Sequence, residues 1–164
     1  PAAELPPGYD ENMLLKFRVV VVVEDSEMIR RTIIMKFKAA RREVGGDGAP
    51  PLDFQEHETV ESVLPLIDSL ATRTDVIFTV DQNLDAKGGV LRGNDLIVAL
   101  VKANYRGLIF SVSGDEVVAE QHKKLGAHAS LGKPLPKKKD MVTILEEACA
   151  TKMKRDASEK SHSQ

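Results

Sequence analysis

Five polar residues stand at or just after the ends of short apolar segments in this sequence: Glu24, Asp25, Asp81, Ser113 and Lys133. Three of them are acids, and carboxylates that are brought together repel one another unless a cation holds them. Oxygen ligands with room for water suit Mg²⁺ or Mn²⁺. A metal ion, a lysine ammonium and a hydroxyl beside a carboxylate nucleophile would neutralise a phosphoryl group during its transfer. The residue types therefore predict phosphoryl chemistry, provided that the fold brings them together.

The segments before these residues have the pattern of buried strands. The first contains five consecutive valines, Val19–Val23, and an apolar run without alternation is typical of a strand covered on both faces of a parallel sheet. Predicted strands cover residues 17–23, 52–57, 76–80, 108–112 and 129–131. Helical patterns lie between them, one capped by Ser26 and others at 60–70, 94–103, 117–125 and 138–152.

This alternation of strands and helices indicates a parallel α/β sheet with right-handed crossovers. Ligands of such a sheet bind outside the carboxyl ends of its strands. The residues at the strand ends are therefore expected to face one crevice. Pro65 lies inside the second helical pattern, so that helix is expected to kink or to begin there.

Length and composition exclude several other classes of protein. The chain has 164 residues, about the size of one domain, and its formal net charge of −2 argues against a nucleic-acid-binding protein that works by bulk charge. Its single cysteine, Cys149, excludes a disulfide framework and a cysteine-built zinc site. No apolar run approaches the roughly 18 residues of a membrane span. We expect a cytosolic protein without membrane contact, and the missing initiator methionine predicts an excised or processed piece.

Four motifs resemble those of the receiver domains of two-component response regulators, the family that includes chemotaxis regulators. They are Val22-Val23-Glu24-Asp25-Ser26, Phe78-Thr79-Val80-Asp81, Phe110-Ser111-Val112-Ser113-Gly114 and Gly132-Lys133-Pro134. Each motif is weak alone, but the four follow the family's order and the match covers about residues 17–150. The resemblance implies a flavodoxin-like, three-layer α/β fold with a five-stranded parallel sheet of order 2-1-3-4-5. We divide the chain into an extended arm at 1–16, a receiver domain at 17–154 and a polar tail at 155–164.

The resemblance also implies roles for the strand-end residues. Asp81 would accept a phosphoryl group from a histidine kinase or a histidine phosphotransfer protein, Lys133 would pair with that group, and Ser113 would hydrogen-bond to it. Mg²⁺ or Mn²⁺ would be held by Glu24, Asp25, Asp81 and the backbone carbonyl of Asn83. The positions that modulate the reaction or the switch would be Asn83, Asp115 and Ser130. Pro134 would follow a cis peptide bond that aims Lys133 inward.

The sequence departs from the family pattern at three places. The first acid is Glu24, where the family usually has Asp. Residues 85–92 lengthen the segment after Asp81 and predict an enlarged flap beside the site. The position three residues before Lys133 is usually aromatic and here is Ser130, which puts the family's coupling through a rotating ring in question.

Several single residues have alternative interpretations. Ser111 competes with Ser113 for the hydroxyl role, and we prefer Ser113 because alternation and the following glycine place it at the strand end. The histidines lack metal-ligand spacing and are predicted at solvated positions: His57, His122, His128 and His162. The arginine pairs at 30–31 and 41–42 are predicted on the solvated face of the first helix, where phosphotransfer partners of the family dock.

The leading hypothesis is a phosphorylation-switched module whose state is read by a downstream protein partner. The chain would be the receiver of a hybrid histidine kinase, which we favour, or a stand-alone response regulator. A pseudo-receiver that binds partners without phosphoryl transfer is an alternative. An aspartate-nucleophile phosphohydrolase is ranked lower, because no acid stands two residues after Asp81. A receiver catalyses its own phosphorylation and dephosphorylation, not the turnover of a diffusible substrate.

Overall fold

Five strands form one parallel sheet in the computed structural model, which describes residues 5–162 of the chain. The strands are β1 (Val19–Val23), β2 (Asp53–His57), β3 (Val76–Asp81), β4 (Leu108–Val112) and β5 (Ala129–Leu131). Their order in the sheet is β2-β1-β3-β4-β5, and each neighbouring pair is parallel. The predicted flavodoxin-like fold class and strand order are therefore confirmed.

Helical segments follow the strands and cover both faces of the sheet. They are α1 (Glu27–Gly45), α2, α3 (Gly93–Lys102), α4 (Glu116–Leu125) and α5 (Lys138–His162). The segment that we call α2 has three pieces, namely Val60–Val63, a 3-10 turn at Leu64–Leu66, and Ile67–Ala71. Pro65 lies in the 3-10 turn, because a residue without an N–H cannot continue the α-helical hydrogen bonds. The predicted interruption at Pro65 is confirmed.

Successive residues of β1 contribute to two separate hydrophobic cores. Val20 and Val22 pack in the core that contains Phe37 of α1 and residues of α5. Val21 packs on the opposite face, in the core that contains Leu96 of α3 and residues of α2. Because both faces of β1 are covered, the strand needs no polar alternation. Helices on both sides therefore fix the position of its carboxyl end.

The N-terminal part of the chain differs from the predicted extended arm. Residues 11–16 form a 3-10 helix capped by Asp10, and Leu14 from this helix is buried against the first core. Arg41 of α1 was predicted on the solvated face but is buried, and it donates hydrogen bonds to the carbonyl oxygens of Leu14 (3.2 Å) and Phe17 (2.7 Å). A guanidinium has enough donors to satisfy several carbonyls at once, which allows its burial here. Residues 1–4 lie outside the described residues.

The C-terminal part also differs from the prediction. Residues 155–162, predicted as a polar tail, continue α5. Arg155 donates hydrogen bonds to the carbonyl oxygens of Gly126 (2.9 Å) and Ala127 (3.1 Å), which attach this part of α5 to the loop between α4 and β5. Residues 163–164 lie outside the described residues. Within residues 5–162, no helix combines the length and the apolar character needed to span a lipid bilayer.

Candidate functional site

Glu24, Asp25 and Asp81 meet at the carboxyl edge of the sheet. Glu24 and Asp25 directly follow β1, and Asp81 is the last residue of the neighbouring β3. One carboxylate oxygen from each residue lies within 4.8 Å of the other two. Glu24 is 1% exposed and Asp81 is 7% exposed, so water screens their mutual repulsion only weakly. The predicted acidic cluster is present at the predicted edge.

Lys133 supplies positive charge to this acidic cluster. Its ammonium nitrogen lies 3.0 Å from Oε1 of Glu24 and 3.3 Å from Oδ1 of Asp81. The residue follows β5, and the Lys133–Pro134 peptide bond is cis, as the resemblance implied. Burial lowers the pKa of Lys133, but the contact with Glu24 and the charge of Asp81 outweigh this effect, so the pKa is raised overall. Lys133 therefore remains a cation beside Asp81 at neutral pH.

The acidic cluster also fits a hard divalent cation. Burial, followed by the negative charge of Asp81, raises the pKa of Glu24 to about 7. A bound cation would offset the repulsion that causes part of this rise. All three side chains offer oxygen atoms, the ligands that Mg²⁺ prefers, and half-buried Asp25 gives access from solvent. The residues present therefore fit Mg²⁺ or Mn²⁺.

Arg30 of α1 contacts the backbone of Glu24. It was predicted on the solvated face but is 7% exposed. Its Nη1 donates to the backbone carbonyl of Glu24 at 2.8 Å, and its other nitrogens pair with Glu56 at 3.3 Å and Glu58 at 3.2 Å. These acceptors together satisfy the guanidinium, and for this reason it can be buried.

Ser113 and Asp115 lie beyond the carboxyl end of β4. Val112 is in register with Asp81, so Ser113 is the first residue past that pair. The hydroxyl oxygen of Ser113 accepts a hydrogen bond from the backbone N–H of Asp115 at 3.0 Å, and Asp115 caps α4. Ser111, in contrast, is fully buried within β4. Half-buried Ser113 thus remains our candidate for the hydroxyl role.

The flap at residues 85–92 is attached to the site on one side and to α2 on the other. The backbone N–H of Ala86 donates to Oδ2 of Asp25 at 3.3 Å. The backbone N–H groups of Val90 and Leu91 donate to Oε2 of Glu61 at 2.7 and 3.3 Å, and these bonds lower the pKa of Glu61. The sequence predicted the flap but missed Glu61, because no local pattern connects residue 61 with residue 90.

Three further positions complete the surroundings of Asp81. Asn83 is exposed in the loop after β3. Ser130 is half-buried in β5, in register with Ser111. A side chain at Gly93 would collide with the carbonyl oxygen of Asp81, so a glycine allows α3 to begin this close to the site. The modulating roles of Asn83, Asp115 and Ser130 stay predictions.

The sequence analysis missed two residues next to Asp81. The backbone N–H of Gln82 donates to Oδ1 of Asp81 at 2.9 Å, and its side-chain Oε1 lies 2.8 Å from Nε2 of His122. His122 is fully buried, so its prediction at a solvated position is wrong. A signal was available, because His122 shares a face of α4 with Val118 and Leu125 at helical spacing.

Two other histidines are also less solvated than predicted. His57 and His128 are half-buried. Nδ1 of His128 accepts a hydrogen bond from the backbone N–H of Ile109 at 3.0 Å, and burial lowers the pKa of His128 to about 4. The side chain of His162 lies outside the described residues.

Solved structures with similar folds include several response-regulator receiver domains. The receiver domain of NtrX from Brucella abortus is 21% identical to this chain, with a TM-score of 0.60, and the aligned region covers 79% of this chain and 96% of the NtrX chain. A second similar structure is a response regulator protein from Burkholderia pseudomallei, solved with a phosphorylated aspartic acid, calcium ion and citrate. It is 19% identical to this chain, with a TM-score of 0.55, and the aligned region covers 90% of this chain and 75% of the other. Chemotaxis protein CheY4 from Vibrio cholerae is 16% identical to this chain, with a TM-score of 0.53, and the aligned region covers 79% of this chain and 94% of the CheY4 chain.

No protein-family model matches the sequence, and no curated protein matches it. The structural likeness nevertheless gives the class of fold directly. This chain has the fold of the response-regulator receiver domains. At identities of 16–21% the likeness establishes the fold, so the chemistry has to be argued from the residues of the site.

Proposed function

We propose that this domain accepts a phosphoryl group on Asp81 from a phosphohistidine and that the modification changes the binding of a protein partner. The carrying observation is the buried Asp81 carboxylate, which shares the carboxyl edge of the sheet with Glu24, Asp25 and the ammonium of Lys133. The similar Burkholderia pseudomallei structure contains a phosphorylated aspartic acid, which supports the same chemistry at this site.

The proposed reaction transfers the phosphoryl group between two nucleophiles. An oxygen of Asp81 forms a bond to phosphorus while the bond from phosphorus to the donor imidazole nitrogen breaks, and the imidazole leaves with that electron pair. Lys133, 3.3 Å from Oδ1 of Asp81, pairs with the phosphoryl oxygens. Ser113 donates its hydroxyl hydrogen to one of these oxygens. Asn83 and Asp115, each two residues beyond a reacting position, are proposed to set the lifetime of the acyl phosphate.

A divalent cation belongs to this proposal. Glu24, Asp25, Asp81 and the backbone carbonyl of Asn83 would hold Mg²⁺ or Mn²⁺. Such an ion, when bound, supplies positive charge to the oxygens of the transferred group. Asp25 accepts a hydrogen bond of 3.3 Å from the flap, longer than the usual N–H···O distance, so its carboxylate can exchange this partner at small cost. The calcium ion in the Burkholderia pseudomallei structure, another cation that prefers oxygen ligands, supports this assignment.

The proposed donor is a histidine kinase or a histidine phosphotransfer protein, and such a relay operates in the cytosol. We propose that the receiver comprises residues 17–154 together with the segments at 11–16 and 155–162 that pack against them, and we favour a hybrid histidine kinase as the parent protein. Reading the gene upstream of Pro1 tests this placement. A kinase core in that reading frame would support the hybrid kinase, and a start codon immediately upstream would favour a stand-alone regulator.

Phosphorylation by a small donor tests the proposed function itself. The protein is incubated with acetyl phosphate and Mg²⁺, and the intact mass is measured. We expect the addition of one phosphoryl group that is lost after hydroxylamine treatment, as acyl phosphates are. Asp81→Asn should abolish it, whereas Asp85→Asn, the same change at an exposed flap position, should keep it. If the protein forms no Asp81-dependent adduct, the proposal is overturned in favour of a pseudo-receiver. Repeated turnover of a diffusible phosphoester would instead indicate a phosphohydrolase.

A further inference from the structure

A continuous chain of hydrogen bonds runs from Asp81 into the protein interior. The backbone N–H of Gln82 donates to Oδ1 of Asp81 at 2.9 Å. The side-chain Oε1 of Gln82 lies 2.8 Å from Nε2 of His122, and Nδ1 of His122 lies 2.6 Å from the hydroxyl oxygen of Ser111. His122 and Ser111 are both fully buried. Gln82 thus contacts the acceptor carboxylate with its backbone and a buried histidine with its side chain.

The direction of each hydrogen bond in this chain follows from its donors. The backbone N–H of Asn94 also donates to Oε1 of Gln82, at 3.0 Å, which identifies that atom as the amide oxygen. Because an amide oxygen only accepts, Nε2 of His122 must carry the hydrogen. Nδ1 is then the acceptor, and the hydroxyl of Ser111 donates to it. Burial lowers the pKa of His122, which agrees with this neutral form.

The three residues Gln82, His122 and Ser111, which we call the polar relay, join three parts of the fold. Gln82 follows β3, and it also accepts from the first residues of α3 through its backbone carbonyl and its side chain. His122 belongs to α4, and Ser111 belongs to β4. The fifth-strand position that is usually aromatic in receivers is Ser130, which has no ring to rotate. The polar relay is therefore a physical connection between the acceptor carboxylate and a helix on the surface.

We propose that the polar relay transmits the state of Asp81 to α4, with Gln82 as the positioning residue beside the acceptor carboxylate. This inference rests on the proposed function of Asp81. A phosphoryl group on Oδ1 of Asp81 would make that oxygen a weaker acceptor for the N–H of Gln82, so we expect this hydrogen bond to lengthen or change partner. Any shift of the Gln82 side chain then moves His122 or leaves a buried N–H without an acceptor, and the second outcome is strongly unfavourable. Helix α4 is therefore displaced together with His122.

Nuclear magnetic resonance of the ¹⁵N-labelled protein tests this inference. The probe is beryllofluoride with Mg²⁺, a stable mimic of an aspartyl phosphate. In the natural protein, we expect shifts of the amide signals next to Asp81, of the signals of α4 and of the ring nitrogens of His122. In Gln82→Met, which keeps the backbone N–H and approximate size but cannot accept from His122, the signals next to Asp81 should still shift while the response of α4 is lost.

Three further variants separate transmission from simple loss of stability. Gln121→Met makes the same replacement at an exposed position of α4 and should respond like the natural protein. Ser111→Ala should reduce the response of α4 and the ring-nitrogen shifts of His122, and Ser111→Thr, which restores a hydroxyl, should recover both. A variant with native amide dispersion but no response in α4 shows that the fold is intact and the transmission is broken.

The outcomes distinguish this inference from the proposed function. If beryllofluoride shifts no signal next to Asp81 in the natural protein, the proposed function fails and the inference fails with it. If those signals shift and α4 responds equally in the natural protein and in Gln82→Met, the polar relay is not the route and this inference alone is overturned.

Discussion

The ammonium nitrogen of Lys133 lies 3.0 Å from Oε1 of Glu24, although the two residues follow strands that are not neighbours in the sheet. Lys133 follows β5 and Glu24 follows β1, with β3 and β4 between them. The ion pair therefore spans the carboxyl edge of the sheet beside Asp81. The side chain of Lys133 is 30% exposed and that of Glu24 is 1% exposed, so Lys133 is the member of the pair that an incoming anion can reach.

Replacing Lys133 tests the balance of charge at this edge. We expect Lys133→Met to prevent acetyl phosphate from modifying Asp81. We also expect a loss of about 1–3 kcal/mol in the free energy of unfolding, larger above pH 7 than below it because Glu24 can take up a proton on the acidic side. Urea denaturation at several pH values measures this loss. Lys137→Met, at an exposed position, should change it by less than about 0.5 kcal/mol; an equal effect of the two variants would contradict the role of Lys133.

The raised pKa of Glu24 predicts how stability depends on pH without metal. Between the ordinary value of 4.5 and the raised value of about 7, the folded protein binds more protons than the unfolded chain. The free energy of unfolding must therefore fall as pH rises through this window. We expect Tm to show this fall in metal-free buffer and Glu24→Gln to reduce it, whereas Glu120→Gln at an exposed position keeps it. A slope unchanged in Glu24→Gln would assign the effect to another group.

Addition of Mg²⁺ should reverse part of this loss. Protons and the cation compete for the same carboxylate, so Mg²⁺ should raise Tm more on the alkaline side of pH 7 than on the acidic side. Differential scanning calorimetry with Mg²⁺ and with a chelator measures the difference. Glu24→Gln should show a smaller increase than the natural protein. Equal increases in both proteins would mean that Glu24 is not a ligand.

Arg30 and its neighbour Arg31 form a matched pair on α1. The Arg30 side chain is 8% exposed and donates to the backbone of Glu24, whereas that of Arg31 is 73% exposed. Arg30→Met should lower the free energy of unfolding by about 2–4 kcal/mol. The replacement leaves the backbone carbonyl of Glu24 without its donor, and it leaves the carboxylates of Glu56 and Glu58 without their cationic partner. Arg31→Met should cost less than about 0.5 kcal/mol. Chemical denaturation tests both, and similar losses would show that burial of Arg30 does not matter.

Glu61 is predicted to hold the outer half of the flap. Its carboxylate accepts from the backbone N–H of Val90 at 2.7 Å. Glu61→Ala should therefore speed hydrogen–deuterium exchange at Val90 and Leu91 without changing exchange in the core strands. Asp68→Ala, which removes an exposed carboxylate elsewhere on α2, serves as control. Unchanged exchange at Val90 in Glu61→Ala would assign the flap's protection to other contacts.

The acidic cluster could be predicted from the sequence because one rule places its members. Glu24 and Asp81 each end an apolar run, and neighbouring parallel strands end at the same edge of a sheet. His122 and Arg30 were placed wrongly because their burial depends on partners far along the chain. Gln82 is 40 residues from His122, and Glu56 is 26 residues from Arg30. No local period encodes such pairings.

The same reason explains the errors at the two ends of the chain. Residues 155–162 carry few apolar side chains, and Arg155 instead attaches this part of α5 to the carbonyl oxygens of Gly126 and Ala127. Leu14 is likewise buried by contacts with α1 and α5 rather than by a local pattern. Hydrophobic periodicity predicts elements that bury an apolar stripe, and it has no signal for segments held by a few long-range contacts.

The hydrogen bonds of Arg155 give α5 a second point of attachment, beyond its packing in the core. The helix has 25 residues and is therefore about 37 Å long. Its first half is fixed in the core by Met141 and Leu145, while Arg155 is tied to the loop where α4 ends. Residues 156–162 extend beyond this second attachment, so a displacement of that loop would also change the position of the helix end. If the polar relay displaces α4 as proposed above, the loop at Gly126 and the end of α5 that Arg155 attaches to it would be displaced as well.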